Sequence, residues 1–222
     1  MQTYFFIWRV EPRNIPRALL HMAVDRISLR SNPHISFFKS LGTGAGKTFT
    51  PNDADLRTWA LVITTTLSKD ELTNLSVIAQ WRSFAQSEAL FELEAISAHG
   101  LWAKQQPFPL TRSSKWDGEV ATITRAKIAW HENFRFWRAV PPVTDSLLGN
   151  SGLIQAIGIG EAPVGLQGTF SHWESQAALR AFAYQGEAHQ RAIAQTAERQ
   201  WYKEELFARF AVISHSFVTL KR

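Results

Sequence analysis

The pattern of apolar and polar positions predicts alternating strands and helices in the first half of the chain. Strand-like stretches are β-branched or aromatic, and helix-like stretches repeat their apolar residues every three to four positions. The predicted strands cover residues 3–10, 34–41, 58–66 and 90–98, and the predicted helices cover 17–29 and 68 to about 86. Ser68, with Glu71 three positions later, forms a capping box at the start of the second helix. The first helix is expected to bury the side formed by Ala18, Leu19, Met22, Ala23 and Ile27.

The second half of the chain repeats a similar order. Its predicted strands cover residues 120–129, 153–158, 165–171 and 206–214. An interrupted helix is predicted over residues 133–148, and two helices separated at Gly186 precede the closing strand. The stretch FFKSLGTG in the first half resembles LIQAIGIG in the second, which indicates an internal repeat.

Both halves therefore show the order βαββαβ, which is that of a ferredoxin-like unit. Such a sheet leaves one face uncovered by its own helices, and two uncovered faces can pack together into a barrel. Residues 104–118 carry two prolines and no periodicity, which is typical of a linker. We therefore predict an α+β protein with two tandem ferredoxin-like halves, residues 1–103 and 119–222, packed as an intramolecular, pseudo-dimeric α+β barrel.

Composition narrows the classes of function. Hydrophobic residues make up 45% of the chain and charged residues 19%, which is typical of a protein with a packed core. Nine Trp and fifteen Phe can fill a large core or line an apolar cavity. The absence of cysteine excludes disulfides, thiolate-ligated haem, cysteine-bound iron–sulfur clusters and zinc ribbons.

Charge and hydropathy bear on partners and compartment. The net charge of +5 comes from scattered basic residues without a nucleic-acid motif. It is compatible with peripheral contact with an anionic membrane, with an acidic partner, and with simple solubility. The N-terminal apolar run is too short for a signal peptide, and no stretch approaches the roughly 20 apolar residues of a membrane span. We therefore expect a cytoplasmic protein.

Two motifs that look catalytic are rejected. LGTGAGKT has Leu41 where a phosphate loop needs its first glycine, and FTPNDAD after it does not begin a helix. These glycines indicate a tight turn near a neighbouring backbone or ligand instead. The adjacent Glu204 and Glu205 precede a predicted strand, where successive side chains point to opposite faces. They are therefore expected to be solvated or salt-bridged rather than an acid–base pair.

His189 is the candidate metal ligand. It follows the break at Gly186, so it lies at the start of the last predicted helix, where unpaired N–H groups and the helix dipole disfavour positive charge. A neutral imidazole followed by Ala192, Ile193 and Thr196 on the same face suits an axial haem ligand. A histidine that simply packs at the helix start is the alternative. The other six histidines show no metal-ligand spacing.

Three cations are candidate contacts for haem propionates. Arg125 and Lys127 share one face of a predicted strand with Ala121 and Ile123, and Lys39 lies in the equivalent region of the first half. Cations on an otherwise apolar face can hold carboxylates through charge-assisted hydrogen bonds. The alternative interpretation is that these cations are ordinary charged residues at the rim of the barrel.

Several stretches together resemble the spheroidene monooxygenase family. They run in order from about residue 36 to residue 210: FFKSLGTGAGKTFTP, LTRSSKW through VATITRAKI, FRFWRAVPPV, AIGIGEAPVGLQGTFSHWES, and FAYQGEAHQRAI followed by WYKEELFARF. Each stretch alone is weak, but their combination is specific. The resemblance covers most of the chain.

The resemblance implies a monooxygenase that contains haem b and introduces a keto group into an acyclic carotenoid. It also implies kinship with dimeric α+β barrel proteins, an axial iron ligand at His189, an electron donor such as a ferredoxin, and an apolar substrate in the barrel cavity. A haem-dependent lyase of the aldoxime dehydratase type and a haem-free barrel that binds an apolar ligand are the alternatives. The sequence does not determine the catalytic residues, the exact substrate or the oligomeric state. A homo-oligomer is one of the oligomeric states that it allows.

Overall fold

The computed structural model describes residues 1–45, 53–128, 149–163, 168–185 and 202–220. Its helices are α1 (Ile15–Ser31) after a 3-10 turn, α2 (Lys69–Thr73), α3 (Ser76–Phe84) and α4 (Gln176–Gln185). Within this part of the chain, no helix combines the length and apolar character needed to cross a membrane. The strands are β1 (Gln2–Val10), β2 (Ile35–Gly44), β3 (Ala54–Thr65), β4 (Ala85–Gly100), β5 (Val120–Ile128), β6 (Leu153–Gly160), β7 (Gly168–Trp173) and β8 (Tyr202–Thr219).

These strands form one closed barrel in which every neighbouring pair is antiparallel. The order around the barrel is β1-β3-β2-β6-β7-β5-β8-β4. Closure pairs each edge strand of the first half with an edge strand of the second, so no edge is left open. The predicted α+β class and the barrel are confirmed.

The arrangement of strands is the same in the two halves, but the doubled βαββαβ order is only partly described. The first four strands lie in the order β4-β1-β3-β2, and the last four in the corresponding order β8-β5-β7-β6. The helix predicted over residues 133–148 lies outside the described residues. The tandem ferredoxin-like halves and their bounds at 103 and 119 therefore stay predictions.

The two segments that resemble each other in sequence meet at the β2–β6 seam. Gly42 lies opposite Gly160, and Gly44 lies opposite Gly158. A Cβ atom on Gly42 would come 2.5 Å from the carbonyl oxygen of Ala162, so this position has no room for a side chain. The expected close backbone approach is thus confirmed at Gly42. The expected tight turn is wrong at Gly42 and Gly44, because both residues belong to strand β2 and pair with β6.

The barrel interior is filled by aromatic rings. Phe5 stacks on Phe170 with ring centroids 4.1 Å apart, and Phe91 packs against Phe170 at 5.1 Å. The segment predicted as a linker adds Phe108, which is 1% exposed and packs 4.9 Å from Phe210. Residues of this segment therefore belong to the core although they lack periodicity. An eight-stranded barrel has just enough interior for its own side chains.

Helix α1 buries a different face from the one predicted. Ala18 and Met22 are buried, but Leu19, Ala23 and Ile27 are exposed. The buried stripe instead includes Asp25, whose carboxylate accepts a 2.8 Å hydrogen bond from the Trp81 indole and lies 2.9 Å from His21 Nδ1. Because polar residues with satisfied partners can enter a core, apolar spacing alone selected the wrong side.

Candidate functional site

The structure brings two of the three predicted cations, Lys39 and Arg125, together inside the barrel. Odd-numbered residues of β2 and β5 point inward, so Lys39 and Arg125 share the interior with buried Leu41 and Ile123. Lys39 Nζ lies 2.6 Å from Glu161 Oε2, and Arg125 Nη2 lies 2.9 Å from Glu161 Oε1. Arg125 is only 5% exposed, so it is an interior charge and not a rim charge.

Glu204 is the second carboxylate of this site. Arg125 Nη1 donates to Glu204 Oε1. The same carboxylate accepts backbone hydrogen bonds from Ala103, at 3.1 Å, and from Lys104, at 2.7 Å. Both residues have a positive φ, 56° and 63°, which is uncommon for residues other than glycine. Glu204 therefore holds a turn in place, and its interpretation as a salt-bridged residue is confirmed.

Trp102 completes what we call the Glu161 cluster: Lys39, Trp102, Arg125, Glu161 and Glu204. The Trp102 indole donates to Glu161 Oε1 at 2.9 Å, and the Arg125 guanidinium lies 5.6 Å from the centroid of its ring. The cluster contains two cations and two carboxylates, so its formal charges balance. One donor is left over, because the buried Arg125 Nε has no hydrogen-bond partner among the described residues.

The cluster keeps both carboxylates ionised. Burial alone would raise the pKa of Glu161, but hydrogen bonds from Lys39 and Trp102, with the charges of Lys39 and Arg125, lower it below its ordinary value of 4.5. Burial likewise opposes ionisation of Glu204, and hydrogen bonds from the Lys104 backbone and Arg125 lower its pKa. Partners that favour the charged form thus outweigh desolvation at both sites.

These lowered pKa values predict loss of stability in acid. A carboxylate whose pKa is lower in the folded protein stabilises it above the unfolded pKa, about 4.3, and this contribution is lost as the pH falls through the folded pKa. We expect the free energy of unfolding in urea to fall between about pH 5 and pH 3. The Glu161→Gln variant should show a shallower fall, whereas Glu174→Gln, which changes an exposed carboxylate, should behave as wild type. Equal slopes in wild type and Glu161→Gln would contradict this assignment.

A groove of about 650 Å³ opens beside the Glu161 cluster, between α1, β2 and residues 161–163. Its volume lies in the range of small-molecule sites. Its lining joins apolar side chains to cations: Leu19, Met22, Phe38 and Pro163 with Arg26, Arg30 and Lys39. The groove therefore offers both polar and apolar contacts, and Lys39 and Glu161 of the Glu161 cluster form part of its wall.

Sequence comparison identifies the family. No protein-family model matches the chain. Spheroidene monooxygenase of Rhodobacter capsulatus is 33% identical over 205 residues, which cover 90% of this chain and 85% of that protein. Spheroidene monooxygenase of Rubrivivax gelatinosus is 36% identical over 189 residues, which cover 82% of this chain and 70% of that protein. This chain belongs to the spheroidene monooxygenase family. The family resemblance predicted from sequence is confirmed, and the protein is a monooxygenase.

A solved structure agrees with the barrel fold. An aldoxime dehydratase in complex with butyraldoxime superposes with a TM-score of 0.59 over 98% of this chain and 82% of that one. The two sequences are only 11% identical, so the likeness concerns the fold alone. It agrees with a spheroidene monooxygenase fold built as a closed α+β barrel.

The remaining predicted residues of this family member fall outside what the structure describes. His189, the candidate iron ligand, lies within residues 186–201, which are outside the described part of the chain. The backbone of Lys127 belongs to β5, but its side chain is likewise outside that part. The assignment of His189 therefore stays a prediction from sequence.

Sequence reasoning missed Glu161 and Trp102. Glu161 continues the alternation of the inward-facing Ile157 and Ile159 one step beyond the end of β6, and that spacing could have placed it inside the barrel. No comparable signal exists for Trp102, because it lies in an irregular segment after β4.

Proposed function

We propose that this protein is a haem-dependent monooxygenase that oxidises a long apolar substrate, an acyclic carotenoid, by introducing a keto group. The observation that carries the proposal is the identity of 33% and 36% to two spheroidene monooxygenases across most of the chain. Both relatives are named for action on spheroidene. An electron donor such as a ferredoxin, and a peripheral contact with the membrane that holds the apolar substrate, belong to the same proposal.

The described residues fit one end of a haem group. The buried Arg125 Nε is a donor without a partner among the described residues, so it suits one oxygen of an anionic propionate. Lys39 and Arg125 carry the positive charge there, although Glu161 and Glu204 already balance it. In this proposal Arg125 and Lys39 hold a propionate and His189 ligates the iron.

Haem, when bound, supplies oxygen activation with electrons from the donor protein, and the chain provides binding and orientation. Lys39 and Arg125 would hold the carboxylate edge of that group, and Glu161 keeps both cations in place through 2.6 Å and 2.9 Å contacts. Trp102 fixes Glu161 in turn through its indole hydrogen bond. Cysteine is absent, so the electron donation of a thiolate ligand is unavailable to this chain.

The groove, rather than the barrel cavity, is the better place for the substrate. The barrel interior is occupied by packed rings such as Phe5, Phe91 and Phe170. By contrast, Leu19, Met22 and Phe38 line the groove with apolar surface beside the Glu161 cluster.

The proposal is tested by an absorption spectrum of the purified protein and by an activity assay with spheroidene. Protein produced with a haem precursor should show a Soret band, and it should convert spheroidene to a keto product when given a ferredoxin, its reductase and oxygen. Omission of either oxygen or reductant should abolish the product. A purified protein without a Soret band and without product would overturn the proposal, and conversion of an aldoxime without oxygen would point to a lyase instead.

A further inference from the structure

A second cluster of polar side chains lies at another level of the barrel. His172 is on β7, His215 is on β8, and Glu119 lies immediately before β5. His172 Nε2 is 2.8 Å and His215 Nε2 is 3.3 Å from Glu119 Oε2. The ligating atoms of all three residues lie within 4.8 Å of one another.

Strand register brings these three residues together. His172 pairs with Ala121 across the β5–β7 ladder, and His215 pairs with Phe91 across the β4–β8 ladder. Ala121 and Phe91 are both in the barrel core, so both histidines project to the inner side. The backbone of β7, of β8 and of the residue before β5 therefore brings these three side chains to one place.

The cluster is closed on one side and open on the other. His172 is 2% exposed, and Phe91 packs against both histidines, with ring centroids 5.3 Å and 5.7 Å away. The side chains of His215 and Glu119 are 48% and 40% exposed. A small ion could therefore enter from solvent while Phe91 limits the movement of both imidazoles.

We propose that Glu119, His172 and His215 bind a divalent first-row transition-metal ion through two imidazole nitrogens and one carboxylate oxygen. This donor set is typical of zinc and non-haem iron sites that keep open positions for water or substrate. Ligand atoms about 2.1 Å from one ion lie about 3 Å apart, which agrees with the two contacts to Glu119. The open side leaves the remaining positions to water.

The chemistry of the buried histidine agrees with this site. Burial lowers the pKa of His172, against the opposing effect of Glu119, and the charge of His215 lowers it further. The neutral imidazole is the form that ligates metals.

This site is separate from the proposed haem contacts. Glu119 and Arg125 are six positions apart along one extended segment, a separation of about 20 Å. The metal site uses none of His189, Arg125 and Lys39. It therefore goes beyond the proposed function, and ion binding can be measured whether or not haem is present.

The test is a titration of chelator-treated, dialysed full-length protein with Zn²⁺, followed by calorimetry and by metal content after equilibrium dialysis. Wild type should bind one ion per chain at this site. Loss of a direct ligand should cost at least as much as loss of a supporting partner, so Glu119→Gln and His215→Ala should weaken binding about 10–100-fold. His172 is buried and its replacement can disturb folding, so the two half-exposed ligands carry the test.

The matched control is His99→Ala, which removes an exposed histidine from β4. This variant should bind Zn²⁺ as wild type does, and so should His189→Ala. Circular dichroism should show folded Glu119→Gln and His215→Ala proteins. Absence of Zn²⁺ binding by wild type, or equal affinity in wild type and both ligand variants, would overturn the proposal.

Discussion

The His189→Ala variant is expected to lose the Soret band or to show it strongly shifted, while the fold is retained. At the start of the last predicted helix, the helix dipole disfavours a charged imidazole, and the neutral form is the one that ligates iron. The small residues after it, including Ala192, leave space against that face. The resemblance in the stretch FAYQGEAHQRAI predicts the iron ligand at this position. Absorption spectra of wild type and variant, prepared with the same haem precursor, provide the measurement.

Two controls make the His189 experiment specific. Added imidazole should partly restore the band by filling the position that the side chain leaves. His99→Ala removes an exposed histidine and should keep the spectrum of wild type. An unaltered spectrum in His189→Ala would place the iron ligand elsewhere in the chain and would remove the main site prediction, although family membership would stand.

The Arg125→Met variant is expected to lose about 3 kcal/mol of unfolding free energy, because the mostly buried carboxylate of Glu204 loses its cationic partner. Arg125 is 5% exposed and contacts both Glu161 and Glu204. Methionine replaces the aliphatic part of the arginine side chain, so most of the loss comes from the missing guanidinium charge and its hydrogen bonds. Urea unfolding at neutral pH, monitored by circular dichroism, measures the effect.

An exposed ion pair provides the matched control for Arg125. The Arg13 side chain is 72% exposed and its Nε lies 2.6 Å from Glu11 Oε2, so Arg13→Met should cost less than about 1 kcal/mol. The double variant Arg125→Met/Glu204→Gln should recover part of the lost stability, since it removes one of the unpaired charges. If Arg125→Met is no less stable than Arg13→Met, the Glu161 cluster is not a buried charge network.

The same variant also bears on haem retention. If Arg125 Nε holds a propionate oxygen, haem affinity should fall about tenfold or more, the value of one charge-assisted hydrogen bond. Lys39→Met, which leaves the Arg125 contacts with Glu161 and Glu204 in place, should have a smaller effect on stability. Unchanged haem affinity in both variants would leave the cations with a structural role only.

Local features could be predicted from the sequence because neighbouring residues determine them. The capping box of Ser68 and Glu71 begins α2 as predicted, since its two hydrogen bonds need only residues three positions apart. Strand alternation correctly grouped Arg125 with Ala121 and Ile123, because side chains two positions apart always share a face. The same periodicity located the eight strands, although β4 and β8 are longer than predicted, and the order of the elements predicted the barrel.

Contacts between distant strands required the tertiary structure. No pattern in the sequence states that β2 pairs with β6, yet that seam brings Lys39 and Arg125 to the same carboxylate of Glu161. The metal-site candidate was missed for the same reason, because register across three strands, and not local spacing, places Glu119 beside His172 and His215.

The buried face of α1 was also decided by the tertiary structure and not by the sequence pattern of the helix. Apolar periodicity selects Ile27, which is 76% exposed, whereas the structure buries Asp25 because Trp81 from α3 supplies its hydrogen bond. A helix by itself determines which residues share a side. Which side is buried depends on the free energy of contacts with partners elsewhere in the chain, and those partners exist only once the chain has folded.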